Sequence, residues 1–185
     1  MSKPSWQLSG ASRDAQSVTA DWMPVGAPAI HDVTVIESRW INKSNGRLVE
    51  LCRRDWFAGG LRVDQVFHVV LNAAGVSAWH VHEHTTDRLF VSSGHARVVL
   101  YDARADSPSY RTVLELLLGE HRPQLVTVPP GIWHGVENIG NAPAVIVNMP
   151  DRAYDYQHPD HWRLPATTSE IPYRFRGAPT TGSTI

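Results

Sequence analysis

The side chains best suited to chemistry lie in the stretch Trp79-His80-Val81-His82-Glu83-His84-Thr85-Thr86-Asp87 and after the turn Pro129-Pro130-Gly131-Ile132-Trp133-His134. Alternate residues of a β-strand point to the same side, so His80 and His82 project two imidazoles into one cavity if their stretch is a strand. Asp87 follows a short polar corner and opens the apolar run Leu89-Phe90-Val91, while His134 comes well downstream, after a rigid turn. Three neutral imidazoles and a carboxylate meeting at one point would make a set of ligands for a divalent metal such as iron, manganese, nickel or zinc. The metal ligands expected are therefore His80, His82, Asp87 and His134. A plainer reading stays open, of strand histidines that are half-buried and serve nothing beyond packing.

Around this set, Gln65, His68, Arg88 and Trp133 are expected to line a substrate pocket. His84 shares the parity of His80 and His82 only if the strand runs on past the corner. Trp79 has the opposite parity and is expected to pack outward, whereas His95, His121, His158 and His161 carry no spacing signal.

The elements that must position these groups read as short strands. β-Branched and apolar runs at 33–36, 47–52, 61–71, 78–82, 89–92, 96–101, 112–118, 125–128, 133–137 and 144–149 alternate with turns such as Asn45-Gly46 and Ser93-Gly94. That spacing predicts an antiparallel all-β sandwich or barrel. A helical turn or two is expected only near 151–156. Residues 1–30, punctuated by Pro24, Gly26 and Pro28 and carrying Trp6, Trp22 and Met23, read as an arm outside a 31–165 barrel domain. Residues 166–185 read as a flexible tail rich in Thr, Ser, Pro and Gly.

Composition excludes several functions. A chain of 185 residues suits one domain with a sizeable core, and a net charge of −1 argues against nucleic acid or an anionic membrane as partner. No run is long and apolar enough to span a bilayer, and the N-terminus lacks the apolar segment of a secretory signal. The single cysteine, Cys52, cannot form an internal disulfide, so a cytoplasmic location is expected.

The motifs carry a resemblance. Gly75, His80, His82, Asp87 and Gly94 reproduce, with one altered spacing and Asp87 in place of the usual Glu, the first motif of the cupins. Pro129, Gly131, His134 and Asn138 match the second. The chain thus resembles a cupin, which implies a jelly-roll barrel with its site inside. A narrower similarity, over about residues 32–165, is to the dTDP-4-dehydrorhamnose 3,5-epimerase branch. It rests on Ser107-Pro108-Ser109-Tyr110 after Tyr101-Asp102, the turn before His134, Tyr154, Trp162 and Pro165, and a fainter echo in residues 45–50 and Gln65.

That resemblance implies proton transfer beside a keto group, a sugar or nucleotide-sugar substrate, no organic cofactor, and a homodimer over whose partner the arm packs. Its catalytic histidine falls on His82. Its lysine, which steadies the enolate, falls on Asp87, and its tyrosine acid falls at or near Val147. The aspartate that orients the histidine falls on Leu164, and the phosphate-gripping arginine falls on Ala78 or Trp79. A metal on the histidines would replace the missing lysine as Lewis acid. The function expected is therefore epimerisation or isomerisation of a small sugar-like carbonyl compound, with a non-haem iron oxygenase or a sugar-binding protein without turnover as alternatives.

Overall fold

The computed structural model describes residues 6–21 and 24–177. Trp22, Met23 and the end of the expected tail, 178–185, lie outside them. Strands β1 (Thr34–Glu37), β9 (Gln124–Val128), β6 (Asp87–Ser93), β11 (Ala144–Asn148) and β4 (Phe67–Leu71) form one sheet in the order β1-β9-β6-β11-β4. A second sheet runs β12-β5-β10-β7-β8, built from β12 (Trp162–Arg163), β5 (Val76–Val81), β10 (Ile132–Asn138), β7 (His95–Asp102) and β8 (Val113–Gly119). A small hairpin pairs β2 (Ile41–Lys43) with β3 (Gly46–Leu48) across the Asn45-Gly46 turn. Among the described residues every strand pairing is antiparallel, which makes the fold the expected cupin jelly roll.

The alternation of inward and outward residues explains the layers. Leu89, Val91, Val98, Leu100, Val126, Val128, Ile132 and Ile146 meet between the sheets as the main core. Outward residues of β6 and β9, Phe90 and Leu125, are covered by Leu51, Trp56, Phe57 and Val63 from the long connection before β4. That connection explains why the apolar run 61–71 is a strand only over Phe67–Leu71: Val63 is spent on the outer face of the barrel.

Two further expectations are corrected. No helix forms at 151–156, because Asp151 is spent docking the chain, its carboxylate taking the Thr86 N–H at 2.9 Å. The described part of the tail, 166–177, is not loose: Ile171 and Phe175 are buried against Trp79, with the Phe175 and Trp79 ring centres 4.9 Å apart. Gly135 of β10 makes room for this packing, since a Cβ there would lie 2.7 Å from the Phe175 ring and overlap Ala78.

The arm carries exposed Trp6 and Leu8 at its start, and its far end is anchored by buried Ile30. No helix among the described residues is long and apolar enough to cross a membrane. Phe175→Ala should cost about 3–5 kcal/mol, the range for emptying a buried aromatic site, read as a lowered denaturation midpoint. An unchanged midpoint would mean that the segment does not pack as described.

Candidate functional site

The strand order delivers the histidines to one place. β10 lies between β5 and β7, and its register sets His134 directly opposite His80. Between His134 and Val136 the pairing partner steps from His80 to Ser77, a bulge that gives β5 one extra residue. The bulge resets the alternation, so Ser77 and His80 line the cavity while Ala78 and Trp79 pack outward. The turn before β10 is tied to the same place, because Gly131, at φ 80°, donates its N–H to the His82 carbonyl at 2.8 Å. Asp87 enters from the facing sheet, at the start of β6.

The resulting cavity of about 730 Å³ is walled inside by Leu71, Leu89, Val136 and Ile146, which also belong to the core. At its centre one oxygen, Asp87 Oδ2, lies 3.2 Å from His82 Nε2 and 3.2 Å from His134 Nε2. The opposite nitrogens fix the tautomers. His134 Nδ1 faces the Ile132 carbonyl at 3.0 Å and His82 Nδ1 faces the Asp160 carbonyl. A carbonyl only accepts, so both Nδ1 atoms carry hydrogens. Both Nε2 atoms therefore turn toward a carboxylate oxygen, and two lone pairs there would be repulsive unless positive charge sits between them.

The environment agrees with that requirement. Burial would raise the Asp87 pKa, but hydrogen bonds from His134 and His82 outweigh it and hold the carboxyl far below its usual range. Burial works against protonation of His82, yet the Asp87 hydrogen bond and charge win and push its pKa up. Ligand atoms of His82, Asp87 and His134 all lie within 4.8 Å of one another.

His80 shares the cavity but not this cluster. Its Nε2 meets Ser77 Oγ at 3.0 Å and its Nδ1 meets His161 Nε2 at 2.7 Å. Burial, followed by the neighbouring His134 and His161, pushes the His80 pKa down to about 3. His161 is pushed down to about 4, by burial and then by His82 and Arg163.

Of the expected pocket residues, Gln65 lines the cavity and accepts the Tyr154 backbone N–H at 2.9 Å. His68 is exposed on edge strand β4, where parity gives the cavity Phe67 and Val69 instead. Arg88, one residue out of step with Asp87, points outward and donates to the Arg62 carbonyl at 3.0 Å. Trp133 packs with Trp79 and Phe175 on the outer face. Leu164 joins that same cluster and Val147 the one around Phe90, so neither faces the cavity. His84 lies at the exposed rim.

Two residues were missed, His161 and Asp160. They precede the two-residue strand β12, too short to show a period, so sequence spacing could not flag them. Asp160 accepts the Glu83 and His84 N–H groups at 2.7 and 2.9 Å and the Thr85 hydroxyl at 2.7 Å, holding the corner between His82 and Asp87.

The sequence profile of the family described as "Polysaccharide biosynthesis C-terminal domain" matches residues 42–162. The chain is 35% identical over 139 residues to the "Probable low-salt glycan biosynthesis epimerase Agl13" of Haloferax volcanii, covering 75% of this chain and 89% of that protein. A dTDP sugar isomerase of Desulfovibrio desulfuricans G20 superposes with a TM-score of 0.74 at 26% identity, over 81% of this chain and 94% of that one. ChmJ, a 3'-monoepimerase of Streptomyces bikiniensis solved with dTDP-quinovose, shares the fold with a TM-score of 0.71 at 16% identity, over 80% of this chain and 76% of that one.

The neutral imidazoles make a prediction about pH. His80 and His161 bind protons more weakly folded than unfolded, so the unfolded chain takes up protons first as pH falls below about 6.5. Their stabilising contribution is therefore lost on acidification, while the raised pKa of His82 acts in the opposite sense. In chelator-treated protein, His80→Gln should flatten the fall in unfolding free energy between pH 7 and pH 5. An unaltered slope would contradict a neutral His80.

Proposed function

The chain belongs to the polysaccharide biosynthesis C-terminal domain family, and on that premise we propose that it is a sugar epimerase acting on a nucleotide-linked keto sugar by proton transfer beside the keto group. The observation that carries this reading is the single buried Asp87 oxygen shared by two imidazole nitrogens at the centre of a cavity of about 730 Å³, a volume within the usual range for small-molecule sites. The names of the similar proteins, a glycan biosynthesis epimerase and a dTDP sugar isomerase, support the substrate class.

Removing a proton next to a carbonyl leaves an enolate, which needs a positive centre at its oxygen and a base at its carbon. With a proton on each Nε2, the His82–Asp87–His134 cluster carries two positive charges and one negative, a net +1. That is the charge of the lysine which the resembling epimerases use and this chain lacks. The base is assigned to His161: its Nε2 rests on His80, and among the described residues no hydrogen bond occupies its Nδ1. His80 and Ser77 hold that ring in place.

A divalent ion also fits the central cluster. Two imidazoles and a carboxylate suit iron, manganese, nickel or zinc, and the ligand atoms of the three side chains lie within 4.8 Å of one another. His82, Asp87 and His134 would hold it, and it would supply Lewis-acid stabilisation of the enolate oxygen. His80 would support the neighbouring base instead of ligating.

The same donor set favours a second reading, since two histidines and one carboxylate also serve non-haem iron oxygenases. Homodimer formation and a cytoplasmic location complete the proposal, supported by the exposed apolar arm residues Trp6 and Leu8 and by the lone free thiol Cys52.

Incubation with a dTDP-linked 4-keto-6-deoxyhexose in deuterium oxide should place deuterium beside the keto group without oxygen uptake. Asp87→Asn should slow that exchange by roughly a hundredfold or more. Oxygen consumption in place of exchange would select the oxygenase, and binding with neither would select a sugar-binding protein. Elemental analysis of untagged protein should find about one divalent ion per chain; no ion, with chelator-resistant exchange, would leave the doubly protonated cluster as the electrophile.

A further inference from the structure

The cavity wall includes a buried polar side chain that neither the cluster nor the base employs. Asn148, at the end of β11, is only 7% exposed, and its exposed fraction opens into the cavity. Its amide can adopt only one orientation. The Arg88 backbone N–H, which can only donate, lies 3.1 Å from Oδ1, so the oxygen faces the backbone and the NH2 group faces away. Among the described residues no protein atom accepts a hydrogen bond from Nδ2.

Position makes this donor useful. Asn148 pairs with Leu89 on β6, two residues beyond Asp87 and with the same inward parity. It therefore faces the cavity from the sheet that supplies Asp87, across from the imidazoles of β5 and β10. An amide NH2 that opens into the cavity without a protein acceptor is free to donate to an oxygen atom of a bound molecule. The neighbouring Val147, where sequence resemblance suggested a tyrosine acid, is turned outward, so Asn148 is the residue of this strand that reaches the cavity at that level.

We propose that Asn148 contacts substrate directly, its Nδ2 donating a hydrogen bond to the oxygen of the sugar's keto group. The inference rests on the epimerase reading and adds to it a specific anchor. When the C–H bond beside the keto group breaks, its proton goes to an imidazole nitrogen, its electron pair forms the new C=C bond, and the carbonyl π pair moves onto the keto oxygen. The amide then holds the oxygen more tightly than it held the ketone, because the acceptor has become anionic. An amide does not release its proton at neutral pH, so Asn148 holds oxygen and cannot return a proton to carbon as a tyrosine would.

The test compares wild type, Asn148→Asp and Asn148→Ala. Asn148→Asp keeps an oxygen for the Arg88 N–H and changes only the group that faces the cavity. Deuterium exchange into a dTDP-linked 4-keto-6-deoxyhexose gives kcat and KM, and thermal melting reports the fold. Both variants should lose roughly 100- to 1,000-fold in kcat, with KM changed far less and with Asn148→Asp melting at the wild-type temperature. Asn148→Ala decides the matter if the aspartate variant melts early. Active wild type with variants exchanging at its rate overturns the role of Asn148 alone. Wild type without exchange overturns the epimerase reading, and this role with it.

Discussion

A buried carboxylate oxygen with an imidazole nitrogen on either side cannot stand without positive charge between them. Taking a carboxylate out of water costs several kcal/mol unless it is paired, and Asp87 is 4% exposed. Both facing nitrogens would be bare if the rings were neutral, since each opposite nitrogen spends its hydrogen on a backbone carbonyl. Protons or a metal ion must make up the difference. Whichever does, a unit of positive charge is placed at the bottom of an apolar cavity, where its field acts through low dielectric.

Much of the surrounding structure serves to hold those three side chains in place. The Gly131 N–H on the His82 carbonyl locks one motif onto the other, and Asp160 braces the corner between His82 and Asp87 while orienting the His82 ring. The returning chain at β12 brings His161 beside His80 in the same move, because Arg163 pairs with His80. Further out, Trp79 on the back of β5 is clamped by Tyr173 and Phe175, so the strand bearing two histidines is fixed from its outer side as well.

The sequence made the barrel and the central cluster legible, for physical reasons. Strands with alternating burial declare themselves by period, and the period-two pair His80 and His82 with the turn before His134 marked the cavity. The bulge in β5 broke the alternation without a residue signature, yet Trp79 still packed outward as its parity suggested. His161 and Asp160 escaped notice because a two-residue strand and a loop carry no period. His68, on a strand expected to line the barrel, and Arg88, next to Asp87, read as pocket residues in the sequence, but each sits one step out of register with the inward face. The tail was misread because Ile171, Tyr173 and Phe175 are sparse among polar residues, and only the groove they fill shows their purpose.

The most direct test of the charge at Asp87 is a crystal structure of untagged protein, with diffraction recorded on both sides of the absorption edges of iron, manganese, nickel and zinc. The account predicts His82 and His134 with their Nε2 atoms turned to Asp87, and either an anomalous peak among the three or, without one, two short nitrogen–oxygen contacts. Rings turned away from Asp87, with neither an ion nor those contacts, would contradict it.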